Sequence, residues 1–327
     1  MKLRSLFFQI VLIALLVVLL GSCNSASSEA DVLRIAVPPN PNIVPLFVLM
    51  EQQEDLAVEI VPVPGIPELT AALHGGQADA ALFFSAAGAK LYNKEAIADL
   101  RLWSVNVWRA LYLVADPQVT GLDDLVGKKI LASFPGGAPD LVMRAAMRLA
   151  GYDPDADFVI EYLPSDQVKL MLLAGKGDAA LLPEPQASAL IIKADEQGLS
   201  LGSVVDLQAD FYADSWEAGV IPLGALFTTQ PLLDDPVRRA ALESFNEAYS
   251  QACNYAMLYP DETGEIVERA YALHFGGQLS GQAVADAIRN GRLIFDGIPA
   301  SELRPDLDLF LEIILGQMPN DEFYVSP

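Results

Sequence analysis

Two stretches of this chain end in polar residues at places where a bound molecule would meet them. Gly76 to Leu82 reads Gly-x-x-Asp-Ala-Ala-Leu, and the same run returns at Gly175 to Leu181. The first copy leads into Ser85-Ala86-Ala87, the second into Pro183-Glu184-Pro185. The Ser85 hydroxyl and the Glu184 carboxylate suit hydrogen bonding to a ligand; Ser85 suits a helix N-cap equally well. Catalysis would need a nucleophile beside a base, and the sequence offers no evident pair.

The elements that position these residues are readable around them. Lys169–Ala174 closes a helix, and Gly175 and Gly177 are suited to the positive φ that stops one. Ala179–Leu182 is a short apolar run of the kind buried in a parallel sheet. Pro183 and Pro185 end it, since neither donates to a ladder. Open α/β sheets bind ligands outside the carboxyl ends of their strands. A repeated helix–turn–strand unit therefore predicts two lobes with a crevice between them.

Further candidates fall at equivalent places. Val32–Pro38 is a first strand, followed by the rigid loop Pro39-Asn40-Pro41-Asn42 and a helix from Ile43 to Glu51; Asn40 and Asn42 are candidate ligand amides. Ala57–Val63 is a second strand. Leu102–Ala115 is a strand pair or one long strand crossing between the lobes, with Asn106 as a candidate and Trp103 and Trp108 as core. A strand ends at Ser133, and Gly136, Gly137 and Ala138 let a ligand approach the backbone ahead of a helix from Asp140 to Ala150. Amides at a helix start bind polar oxygens; a plain turn capped by Asp140 is the other reading. No Gly-Lys-Ser/Thr follows, so this is not a phosphate loop. Leu207–Gly219, with Tyr212, Asp214, Trp216 and Glu217, is placed over the cleft mouth, and Trp216 joins the candidates. Val220–Thr229 returns the chain to the first lobe. Pro236–Tyr259, Glu262–Phe275, Ser280–Asn290 and Ser301–Gly316 form a helical C-terminal part.

Composition narrows the classes. The 327 residues, 52% of them hydrophobic, suffice for two cored lobes. A net charge of −23 excludes a general nucleic-acid binder. Two histidines, His74 and His274, argue against a histidine metal site or histidine catalysis, and no cofactor is expected. Cys253 has no partner and reads as a buried thiol. Met1–Ser22 is a targeting segment: Lys2 and Arg4 precede an apolar run from Leu6 to Leu20. Its end, Leu20-Gly21-Ser22-Cys23, resembles a bacterial lipobox. That resemblance implies lipidation of Cys23, a flexible tether over 23–31, and a place on the outer face of the cytoplasmic membrane or in the cell envelope.

The run Leu122-Asp-Asp-Leu-x-Gly-Lys-Lys-Ile130, then Ser133 to Pro139, Leu149-Ala-Gly-Tyr152 and Leu170 to Gln186, resembles the substrate-binding lipoproteins of ABC importers, in the nitrate/sulfonate/taurine-like and thiamine-precursor-like group. The resemblance implies an α/β fold of the two-lobed type II periplasmic-binding kind. Each lobe is then a mixed, mostly parallel sheet flanked by helices. One lobe comprises 32–110 and 229–327, the other 111–228. It further implies a small-molecule ligand, an ABC permease and ATPase as partners, and a monomer that is not an enzyme. Enzymes on the same fold (a chorismate dehydratase, a pyrimidine-forming protein) and a sensory lipoprotein are the competing classes. Arg109 and Arg144 are the available anchors for a sulfonate or nitrate. Asp140, Glu184, Asp214, Glu217, Trp108, Tyr212 and Trp216 favour a neutral or cationic, aromatic nitrogen compound.

Overall fold

The computed structural model describes residues 32–53, 56–208 and 221–325. Cys23, the targeting segment, Tyr212, Asp214, Trp216 and Glu217 lie outside the described residues. In chain order the strands and helices are β1 (Leu33–Val37), α1 (Ile43–Gln52), β2 (Val58–Pro62), α2 (Ile66–His74), β3 (Ala80–Phe84), α3 (Ser85–Asn93), β4 (Leu100–Arg109), β5 (Leu111–Ala115), β6 (Lys129–Ala132), α4 (Ala138–Leu149), β7 (Val159–Tyr162), α5 (Ser165–Leu173), β8 (Ala179–Pro183), α6 (Gln186–Glu196) and β9 (Gly202–Asp206). They continue with β10 (Gly224–Thr229), α7 (Gln230–Leu233), α8 (Pro236–Leu258), α9 (Pro260–Phe275), α10 (Gly281–Arg289), β11 (Ile294–Pro299) and α11 (Arg304–Leu315).

Two sheets form. One has the order β11-β4-β10-β3-β1-β2, the other β7-β6-β8-β5-β9. Parallel pairs β2-β1-β3 and β7-β6-β8 carry the crossover helices, and the remaining pairs are antiparallel. By direction, β1, β2, β3 and β4 run together in the first sheet, and β6, β7, β8 and β9 in the second. The expected α/β architecture of two mixed sheets flanked by helices forms; the strands are mostly parallel by direction but not by pairing, because β10 and β5 each run antiparallel between two strands.

The repeat has a structural cause. Asp79 donates its amide to the Arg34 carbonyl at 2.8 Å and accepts the Arg34 amide on its carboxylate at 2.9 Å. Asp178 does the same with Lys129, at 2.9 and 2.8 Å. Gly76 and Gly175 precede them with φ of +64° and +66°, a conformation costly to any residue with a Cβ. In both sheets the aspartate thus pins a central strand to its parallel neighbour, one residue before the pairs Ile35↔Ala80 and Ile130↔Ala179. Gly177 serves differently: a side chain there would strike Leu131 at 2.6 Å.

The first sheet packs against α8, and α1 lies against α8 and α9. Helix α1 is apolar nearly all round because it lies against both α8 and α9. Its buried Ile43, Val44, Leu46, Phe47, Val48 and Leu49 each contribute roughly 2 kcal/mol of apolar burial. Cys253 is buried on α8. The C-terminal part is not wholly helical, because β11 adds an edge strand to the first sheet. Gly297 and Pro299 make that segment read as a turn, and an edge position tolerates both. Among the described residues no helix is long and apolar enough to cross a membrane.

Candidate ligand-binding cleft

The carboxyl ends of β1, β3 and β4 share one end of the first sheet, and those of β6, β8 and β9 share one end of the second. The only residue between β4 and β5 is Ala110, so these two ends adjoin where the chain crosses. The expected crossing over Leu102–Ala115 forms as two successive strands, one in each sheet, with Trp108 in the core and its indole donating to the Asp296 carbonyl at 2.8 Å.

Beyond β1, Asn40 is buried and donates Nδ2 to the Leu82 carbonyl at 3.0 Å. Its Oδ1 accepts the amide and Nδ2 of Asn42, both at 2.8 Å. Asn42 starts α1, and its carbonyl accepts the Tyr249 hydroxyl at 2.8 Å. Its own Oδ1 is buried without a hydrogen-bond partner among the described residues. Gly224 leaves room for this amide, since a Cβ there would meet Asn42 Nδ2 at 2.8 Å.

Beyond β3, Ser85 is buried and donates Oγ to the Pro222 carbonyl; its amide donates to Leu223 at 2.9 Å. Helix α3 has no side-chain cap, so the N-cap alternative for Ser85 is not what forms. The serine ties the β3 exit to the segment returning from the other lobe.

Beyond β6, Ser133 is half-buried and Phe134 is 63% exposed at a φ of +53°. A bulky residue there is strained unless its surroundings fix it. They do: Gly137 donates to the Phe134 carbonyl at 2.8 Å, and Gly136 donates to Asp140 Oδ2 at 2.7 Å. Ala138 is buried and opens α4. Lys90, on α3, donates Nζ to the Gly136 carbonyl at 2.6 Å, linking the loops of the two sheets.

Beyond β8, Glu184 is fully buried. Its carboxylate accepts the Ser188 amide at 3.0 Å, the Ser188 hydroxyl at 2.9 Å and Arg292 Nε at 2.8 Å. Burial pushes this carboxyl up, against the lowering by Ser188 and Arg292. Glu184 sits at the predicted strand exit, but its carboxylate is bonded inward rather than offered to a crevice.

The structure thus brings Asn40, Asn42 and Ser85 together at one sheet end, and Ser133, Gly136, Gly137, Ala138 and Glu184 at the other. It holds Asn106 apart. That amide lies within 3.3 Å of Ser104, which in turn donates to Asn246 of α8 at 2.8 Å, so Asn106 faces a helix. Arg109 pairs with Asp206, and Arg144 with Asp140, Asp155 and Tyr162, so both expected anion anchors are engaged. Phe134 lies in the loop after β6 that the sequence singles out, whereas Lys90 and Arg292 are not among the sequence candidates. Lys90 was findable, five residues along the helix that Ser85 opens. Arg292 was not, since 108 positions separate it from Glu184.

A cavity of about 370 Å³ lies at the far, amino end of β3 and is lined by His74, Asp79, Asp99, Asp235 and Arg238 among others. Asp79 is taken by Arg34 and Arg238, and Asp235 caps α8, so these three charges and the Asp235 carboxylate serve the fold. His74 bonds the Ala96 carbonyl and His274 stacks on Phe47, both away from the cleft loops. Among the described residues no group of three or more His, Cys, Asp or Glu is placed to hold a metal ion.

A family model described as the NMT1-like family matches residues 28–269. No curated protein matches the chain. Among solved structures, an ABC transporter from Parabacteroides distasonis is similar at 21% identity and a TM-score of 0.69, over 90% of this chain and 99% of that one. The periplasmic aliphatic sulphonate binding protein SsuA from Escherichia coli follows at 18% identity and 0.65, over 91% and 92%. The periplasmic nitrate-binding protein NrtA from Synechocystis stands at 16% identity and 0.60, over 80% and 70%. At these identities the likeness is one of fold, the two-lobed periplasmic-binding fold.

Proposed function

Because this chain belongs to the NMT1-like family, we propose that it is the solute-binding component of an ABC importer, held outside the cytoplasmic membrane by a lipid on Cys23. Its lobes, 32–110 with 229–327 and 111–228, close on a small organic molecule by hinge motion, and the closed form docks on a permease. No bond is broken in the process. The observation that carries the reading is the meeting of loops from two sheets across one short crossing, with Lys90 bonded to Gly136 between them. The periplasmic sulphonate- and nitrate-binding proteins of similar fold support it. Ser85 supports binding over catalysis: its hydroxyl donates to a carbonyl, not to a base.

The ligand we propose is an uncharged, nitrogen-containing aromatic compound. Arg109 and Arg144 are neutralised by carboxylates, and Glu184 is engaged by Arg292. Asn40 and Ser85 are bonded within the protein as well, so the uncharged group at the loops with open hydrogen-bonding capacity among the described residues is Asn42 Oδ1, beside the half-buried Ser133 and the Gly136–Ala138 backbone. One observation favours the anionic alternative: Lys90 bonds a carbonyl, and no carboxylate among the described residues lies within ion-pair distance.

A thermal-shift panel on the full-length chain in detergent tests both. It contains uncharged aromatic nitrogen compounds, alkanesulfonates and nitrate. A compound that binds only the folded state adds about 2.7 kcal/mol at a hundred times its Kd. A rise with an aromatic nitrogen compound, recovered unchanged, supports the reading. A rise only with sulfonates or nitrate, lost in Lys90→Met, replaces the ligand. A consumed compound replaces the receptor by an enzyme.

A further inference from the structure

The first crossing between the sheets is controlled from both sides at close quarters. Trp108 belongs to the first sheet: its carbonyl accepts from Ile221 at 3.1 Å, and its indole is fixed on Asp296. Ala110 belongs to the second: its carbonyl accepts the Glu184 amide at 2.7 Å, and its own amide donates to Gln208 Oε1 at 2.9 Å. Leu111 donates to the same Oε1 at 2.6 Å. Gln208 Nε2 returns bonds to the Leu111 carbonyl and to Asp206 Oδ1, both at 2.7 Å. The Gln208 side chain is fully buried.

The β5–β9 ladder ends at Tyr112↔Asp206. Beyond it the Leu207 amide still donates to the Leu111 carbonyl at 3.3 Å, and the Gln208 side-chain amide adds one acceptor and one donor to the crossing backbone. The peptide plane after Trp108 is held by one lobe and the plane before Ala110 by the other. Only the φ and ψ of Arg109 lie between them; Arg109 pairs with Ile294 at the end of the edge strand β11, where the register with β4 shifts.

We propose that Gln208 is the hinge pin of the first crossing: it fixes Ala110 and Leu111 to the second lobe, so that lobe rotation is taken up by the two torsions of Arg109. Gln208 is a positioning residue and touches no ligand. The proposal rests on the closing motion under Proposed function, and its test needs no ligand, so a chain that binds nothing in the panel still reports on the hinge.

The test is hydrogen exchange at single amides of the full-length chain, unaltered and as Gln208→Met, which keeps the length of the side chain and removes its polar atoms. A second readout is the distance distribution between nitroxides at Glu59→Cys and Lys176→Cys, both exposed and one on each lobe, in a Cys23→Ser background. In the unaltered chain Ala110 and Leu111 should be protected. Gln208→Met should speed their exchange about tenfold or more and widen the distance distribution, leaving the β3–β10 ladder unchanged. Should Gln208→Met not fold, Gln208→Asn, too short to reach both amides, carries the same test. Unprotected amides in the unaltered chain overturn the proposal. So does a folded variant with unchanged exchange and unchanged distances.

Discussion

Arg292 donates Nε to the Glu184 carboxylate at 2.8 Å and Nη2 to the Ser188 hydroxyl at 2.8 Å. The arginine precedes β11 of one sheet and the glutamate follows β8 of the other. This ion pair therefore joins the two sheets at their facing ends, with the carboxylate fully buried and the Arg292 side chain 24% exposed. Removing one partner of a buried pair leaves the other charge without compensation. Arg292→Met should cost roughly 3 kcal/mol, the low end for such pairs because the guanidinium is partly wet. Urea unfolding reads it; a loss below about 1 kcal/mol would show that the bridge contributes no more than a surface pair.

The same carboxyl sets a pH dependence. Burial raises its folded-state pKa above the ordinary glutamate value of ~4.3. In the window between that value and the raised one, the folded state holds more protons than the unfolded state. Stability of the unaltered chain should therefore fall as pH rises through that window. In Glu184→Gln this contribution is absent, so the difference in unfolding free energy between the two proteins should change with pH across the window. A difference independent of pH there would contradict the placement of the carboxyl.

Asp79 and Asp178 make the same backbone bond in different surroundings. Asp178→Asn should cost about 1 kcal/mol, the scale of one net hydrogen bond, because its site is exposed. Asp79→Asn should cost more, since its buried carboxylate also receives Arg34 and Arg238. Equal losses on thermal unfolding would mean that the arginines add nothing.

Gly224→Ala should cost about 1–3 kcal/mol by overpacking. Its methyl would sit 2.7 Å from Val107 and 2.8 Å from the Asn42 amide. A crystal structure of the variant should show the Asn42 side chain displaced. An unmoved Asn42 at unchanged stability would mean that the sheet end is looser than described.

Cys253 should not react with an aromatic disulfide reagent in the native chain. The thiol is buried, and burial pushes its pKa up, so little thiolate is available. Reaction should begin with unfolding in denaturant. Rapid native labelling at Cys253 would place α8 elsewhere.

The sequence by itself determined what depends on neighbours along the chain. A helix, a left-handed glycine and an aspartate ahead of an apolar run define a strand unit wherever they occur, so both copies of Gly-x-x-Asp-Ala-Ala-Leu were legible. So were the central strands, the crossing near Ala110 and the exits carrying Asn40, Ser85, Gly136 and Glu184. The strands not foreseen, β7, β9 and β11, are all sheet edges. An edge strand is half wet and tolerates Gly, Pro and charge, which removes the apolar signal that marks a central strand. Which partner each charge takes was decided only by the tertiary structure. Arg109 meets Asp206 and Glu184 meets Arg292 because two sheets meet at one end. Attraction between charges depends on distance in space, and separations of 97 and 108 residues carry no local trace of it.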